Sequence, residues 1–102
     1  MNDAQSLERL RITAFNAGRV FEQRRYCREN FSNVYNMIET AMQDNAEEVF
    51  VKARSIEDYC YSKAEILYII TKDINEANTT SNHKKVSIDK RYLFKGWRLV
   101  IT

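Results

Sequence analysis

The sequence predicts an α+β fold, mainly helical, with an antiparallel helix pair, one or two further helices and a C-terminal β-hairpin of winged-helix-like form. Three observations lead there. The 102 residues contain no Pro and only Gly18 and Gly96, and so few chain breakers favour long helices over a many-turned sandwich or barrel. Apolar residues recur at steps of three and four through the first three quarters of the chain. From Val86 onward the pattern changes to alternation.

Leu7, Leu10, Ala14, Ala17 and Phe21 put one apolar stripe on a helix that starts at Ser6, a side chain able to accept a bond from an unpaired backbone N–H, and runs to Arg24 or beyond. Phe31, Val34, Ile38 and Met42 repeat the spacing, with Asn30 or Ser32 as cap and Asp44-Asn45 as the stop. A short polar link would fold these two helices back on each other, Phe21 facing Val34 and Ile38.

Glu48-Val49-Phe50-Val51-Lys52 has the β-branched and aromatic composition of a strand. Ser55-Ile56-Glu57-Asp58 fits a capping box that opens a further helix. Ile56, Tyr59, Cys60, Leu67, Ile70 and Ile74 then continue at helical spacing, so residues 56–77 form one long helix or two. Residues 78–83, all polar or short, read as a loop. Val86 and Ile88, and then Trp97 to Ile101, alternate as the arms of a hairpin that packs Tyr92, Phe94 and Trp97 onto the helices, with Gly96 in the turn. At this length one domain is expected over residues 1–102, made of a helical pair (1–46) and a helix with a basic hairpin (47–102).

Catalytic and metal chemistry find little to stand on. His83 is the only histidine and lies in the polar loop. Glu47-Glu48 and Glu57-Asp58 read as caps or exposed charge rather than an acid–base pair. No glycine-rich phosphate loop, HExxH pair or GxSxG turn occurs. Cys27 and Cys60 lack CxxC spacing and read as reduced, semi-buried thiols. The expectation is a protein that is not an enzyme and uses no metal or cofactor.

The polar start MNDAQSLERLR and the lack of a long apolar run lead to the expectation of a cytoplasmic protein with no membrane partner.

The net charge of +2 is unevenly spread. Residues 1–28 carry six Arg (Arg9, Arg11, Arg19, Arg24, Arg25 and Arg28) against three acids, and residues 29–51 carry five acids and no Lys or Arg. Residues 84–102 carry six cations against one acid. Those six, Lys84, Lys85, Lys90, Arg91, Lys95 and Arg98, are interleaved with Tyr92, Phe94 and Trp97. An alternating ribbon would turn apolar side chains inward and cations outward, in a strip able to bind backbone phosphates by counterion release. The acidic middle cannot cancel that field beyond a Debye length of about 8–10 Å.

Residues 47–101 run strand, then Ser55-Ile56, then Ser62-Lys63-Ala64-Glu65-Ile66, then a hairpin with Phe94-Lys95-Gly96-Trp97-Arg98. That order resembles the small modular helix-turn-helix repeats associated with phage and intron-encoded homing nucleases. The resemblance implies that the helix from Ser62 to Thr71 enters a DNA groove, with Ser62, Lys63 and Glu65 near its leading end, and that Lys90, Arg91, Lys95 and Arg98 touch phosphates. The interval from Ser55 to Ser62 is shorter than in the family, which favours one continuous helix instead.

The expected function is therefore non-enzymatic DNA binding by a small phage-type regulator, through Ser62, Lys63, Lys84, Lys85, Lys90, Arg91, Lys95 and Arg98. The alternative is a protein-binding module that inhibits or adapts a host enzyme complex through the acidic segment 39–48 and exposed aromatics. A homodimer through the first helix is compatible with either.

Overall fold

A computed structural model of the chain describes residues 18–57, 62–77 and 84–102. Residues 18–30 are helical (α1), and Phe31 alone separates them from α2, Ser32–Gln43. The expected caps are not used. The Asn30 side chain donates to the Tyr26 carbonyl at 2.9 Å, and Phe31 occupies the cap position with no side-chain bond. What fixes the joint is apolar: Phe31 is buried, beside Val34, Tyr35, Ile38 and Met42 on the core side of α2.

The stop at Asp44-Asn45 is as the sequence predicts. Asn45 takes the left-handed conformation (φ 58°). Its N–H donates to the Met42 carbonyl at 3.3 Å, and that of Ala46 to the Ala41 carbonyl at 2.9 Å. This is the Schellman closure, for which Asn is the usual substitute for Gly.

Strand β1, Glu48–Lys52, is followed by a short 3-10 turn over Ala53–Ser55. Here the expected capping box fails. Ile56 is extended (φ −125°, ψ 126°) and fully buried, so the chain leaves Ser55 extended, with Ile56 anchored in the core, rather than starting a helix there. Helix α3 runs Lys63–Ala77, and its cap is Ser62, whose Oγ accepts the Glu65 N–H at 3.3 Å. Ser62-Lys63-Ala64-Glu65 has the same Ser-x-x-acid spacing as the Ser55 tetrapeptide.

Strands β2, Val86–Tyr92, and β3, Gly96–Ile101, form the expected hairpin. Strand β1 joins it to make a three-stranded antiparallel sheet of order β1-β3-β2. Trp97, Leu99 and Ile101 face the helices, with Val51 and Val86 beside them in register. A single apolar cluster joins these to Cys27 on α1, the α2 stripe, Ile56, and Ile66, Leu67, Ile70 and Ile74 on α3.

Polar contacts tie the helices to this core and to one another. Asn75 of α3 makes a reciprocal pair with the first residue of β2, donating to the Val86 carbonyl and accepting its N–H, both at 2.8 Å. Asp73, 7% exposed, accepts the Tyr35 hydroxyl at 2.8 Å and Arg28 Nε at 2.9 Å. Arg24 reaches Glu76 at 2.7 Å. Arginines 24 and 28 are thus ties from α1 to α3. Phe21, expected against α2, is 65% exposed.

Cys27 is fully buried rather than half-buried, and burial pushes its thiol up to about 11. A thiol raised in the folded state stabilises it fully below the unfolded pKa and loses that contribution as pH rises through the folded value. Native protein at about pH 8 should therefore leave Cys27 unmodified by iodoacetamide, while denatured protein reacts. Cys27→Ala should flatten the loss of stability between about pH 9 and 11. Rapid native labelling of Cys27, read by mass spectrometry, contradicts this burial. The loop 78–83, His83, Cys60 and the first helix before residue 18 lie outside the described residues.

Candidate nucleic-acid interface

The helices cover one face of the sheet and leave the other open. Register places three rows on that open face: Glu48, Val100 and Ser87; Phe50, Arg98 and Lys90; Lys52, Gly96 and Tyr92. Alternation in a strand sends these residues away from Val51, Trp97 and Leu99. Phe50 and Tyr92 are 41% and 38% exposed, and their rings lie 5.8 Å apart at 59°. The middle position of the third row is Gly96, so no side chain stands between Lys52 and Tyr92. Lys90 Nζ sits 5.1 Å from the Tyr92 ring.

Arg98 is held between two carboxylates, Glu48 at 2.6 Å and Asp89 at 2.5 Å, which keep its guanidinium above the usual arginine range. Asp89 owes its place to an irregularity in the ladder: pairing skips from Ile88 to Lys90 and leaves Asp89 as the extra residue of a bulge. A cleft of about 530 Å³ opens among Glu48, Val49, Phe50, Tyr92, Lys95 and Arg98.

The hairpin tip differs from the sequence expectation. Only Trp97 of the three aromatics packs inside, with the Arg91 guanidinium 5.8 Å over its ring. Leu93 is exposed and Phe94 is 91% exposed. The turn is too short to carry either side chain back to the helices. Its left-handed residue is Phe94 (φ 64°), while Gly96 (φ 147°) opens β3 against the backbone of β1. The turn is fixed: Lys95 N–H donates to the Tyr92 carbonyl at 3.0 Å, and Ala53 N–H to the Lys95 carbonyl at 2.9 Å.

The eight residues expected to touch nucleic acid separate by role. Ser62 caps α3, and Lys63 Nζ donates to the Ala53 carbonyl at 3.2 Å. Ala53 therefore joins the Lys63 ammonium, at the leading end of α3, to the backbone of the hairpin turn at Lys95. Lys84 donates to the Asn45 side-chain carbonyl at the far end of the sheet, next to Lys85, whose backbone pairs with Thr102. At about 3.3 Å per strand residue, Lys85 lies roughly 17 Å from Lys90, so the cations form two groups rather than one strip. Arg98 is neutralised by its carboxylates. Lys85, Lys90, Arg91 and Lys95 stay exposed and in no ion pair among the described residues.

Sequence reasoning missed Phe50 and the pairing of β1 with β3. The signal was present in Val49-Phe50-Val51, because alternation must turn Phe50 away from the face that buries its neighbours. Among the described residues no cluster of three or more His, Cys, Asp or Glu is placed to hold a metal ion, and no helix is long and apolar enough to cross a membrane. No family model, curated protein or solved structure matches the chain.

Proposed function

We propose that this chain is a non-enzymatic nucleic-acid-binding protein that works through the hairpin and the open face of its sheet. The observation that carries the reading is the grouping of Lys90 and Lys95 at the hairpin end of the sheet beside an exposed ring pair, with Arg91 on the opposite face of the same edge strand, all three exposed and without carboxylate partners among the described residues. Charges on an edge strand also deter edge-to-edge pairing, but that purpose does not require solvent-facing rings on the adjoining face. DNA, a regulatory role of phage type and a cytoplasmic setting belong to the same proposal, as does the resemblance to nuclease-associated repeats. Phosphate contacts fall to Lys85, Lys90, Arg91 and Lys95. The leading end of α3 has a reduced part, since Ser62 and Lys63 already serve the fold.

An anisotropy titration of labelled DNA at about 50 mM and about 200 mM salt tests this. Micromolar or tighter binding is expected at the lower salt. Lys90→Ala/Arg91→Ala should weaken it roughly tenfold and reduce the salt slope by about 2, one for each phosphate-binding cation removed. Absence of binding to any nucleic acid at the lower salt overturns the reading.

A protein partner is the second reading, favoured by a different place. A groove of about 1100 Å³ between α1 and α3 exposes Val20, Phe21 and Tyr68 beside Lys72 and Glu65. The acidic segment 39–48 contributes less to it, because Glu48 is engaged with Arg98.

A further inference from the structure

We infer that the open sheet face takes single-stranded nucleic acid, with bases stacked on Phe50, Tyr92 and Phe94 and phosphates met by Lys52, Lys90 and Lys95. The inference rests on the nucleic-acid reading above and specifies which polyanion the face fits. Three observations carry it, and the first two separate a single strand from a duplex.

The first is the rings. Aromatic side chains lying exposed on a sheet offer a flat apolar surface to a base, and every base has a face to put there. In a duplex those base faces are already stacked on one another and only edges remain, which rings cannot read. Phe50 and Tyr92 lie on neighbouring rows of the sheet, and the gap left by Gly96 keeps their approach open.

The second is charge. Lys52, Lys90 and Lys95 surround the rings, so a polyanion is the complementary occupant. Glu48 and Asp89 lie on the same face, clamping Arg98. Two close phosphate backbones would meet those carboxylates at a cost. A single strand can route its phosphates along the lysines and turn its bases to the acids, which accept hydrogen bonds from exocyclic amino groups. The cleft of about 530 Å³ beside the ring pair is within the size range of small-molecule sites, suited to one splayed base with its sugar.

The third is Phe94. An L-residue in the left-handed region carries steric strain that glycine avoids, and Phe94 buries almost nothing in return. Both hydrogen bonds fix the turn that carries it, and the ring stands exposed at the hairpin tip, two residues beyond Tyr92. Strain kept at an exposed apolar residue points to a task outside the fold.

The test titrates the 102-residue chain into a labelled single strand of roughly 20 nucleotides, as DNA and as RNA, and into a duplex of the same length. Wild type should bind the single strand at least about tenfold more tightly than the duplex. Phe50→Ala, Tyr92→Ala and Phe94→Gly should each weaken single-strand binding by roughly 5- to 100-fold. Their salt slopes should not change, since no cation is removed. Phe94→Gly relieves backbone strain and removes no buried side chain, so its weaker binding cannot be ascribed to unfolding. Circular dichroism checks the other two.

Equal affinity for duplex and single strand, or single-strand binding indifferent to all three substitutions, overturns the stacking platform and leaves the nucleic-acid reading standing. No binding to any of the probes ends both. Self-association in sedimentation that Phe94→Gly abolishes, with no binding to the single strand, assigns the face to a second copy of this chain and overturns the inference.

Discussion

Gly96→Ala is expected to remove about 3–5 kcal/mol of stability, on the order of 15–30 °C in Tm for a domain of this size. Two independent costs meet at this position. Its φ of 147° is backbone that side chains rarely adopt, and forcing an L-residue there costs about 1–3 kcal/mol. A Cβ would also lie 2.1 Å from the Val51 carbonyl oxygen and 3.0 Å from Lys52 Cα. These are backbone atoms of the paired strand, so no side chain can swing aside, and β1 must separate from β3. Val51 and Trp97 sit opposite each other one step along the ladder and are both buried, so the separation reaches the core. Urea denaturation measures it. A loss below about 1 kcal/mol would mean that β1 moves freely and that the sheet is not the unit described.

The same glycine shows where sequence reading works and where it stops. Gly96 was legible as a special backbone position, and so was the hairpin, because alternation of Val86, Ile88, Trp97, Leu99 and Ile101 is a local property of the chain. Helix α2 and its end at Asn45 were legible for the same reason. The two capping tetrapeptides were not separable: Ser55 and Ser62 each precede an acid at the right spacing. What decides between them is the burial of Ile56 against residues distant in sequence. The fate of the aromatics was likewise a tertiary matter. Alternation places Trp97 inward, but whether the turn is long enough to return Phe94 to the helices depends on the register. Of the candidate site, the cationic hairpin was visible in composition. Its rings were not, because Phe50 lies some forty residues from Tyr92 and only the β1–β3 pairing brings them together. The neutralisation of Arg98 by Glu48 has the same origin.

Replacing Asp73 by Ala should cost about 2–4 kcal/mol, the largest loss expected from any polar side chain among the described residues. Asp73 is the acceptor on which α1 and α2 both converge, through Arg28 and the Tyr35 hydroxyl. Tyr35 is 3% exposed, and with its acceptor gone the hydroxyl is left unpaired in the core, a cost of about 1–3 kcal/mol. Burial, the largest cause of that phenol's raised pKa, remains when Asp73 is removed, so the hydroxyl cannot escape by ionising. Arg28 is half exposed and recovers solvation, so its pair contributes at most about 1 kcal/mol. Part of its hold on α2 is the stacking of the guanidinium 4.6 Å over the Tyr35 ring, which Asp73→Ala leaves in place. The decisive comparison is a double-mutant cycle by urea denaturation. Tyr35→Phe removes the orphaned hydroxyl, so in its background Asp73→Ala should cost about 1 kcal/mol less or better. If the two losses simply add, the Tyr35 hydroxyl does not depend on Asp73. Binding to nucleic acid should survive Asp73→Ala wherever the protein remains folded, because the open face of the sheet lies across the core from this carboxylate. A variant that folds yet loses binding would place the interface on the helices instead.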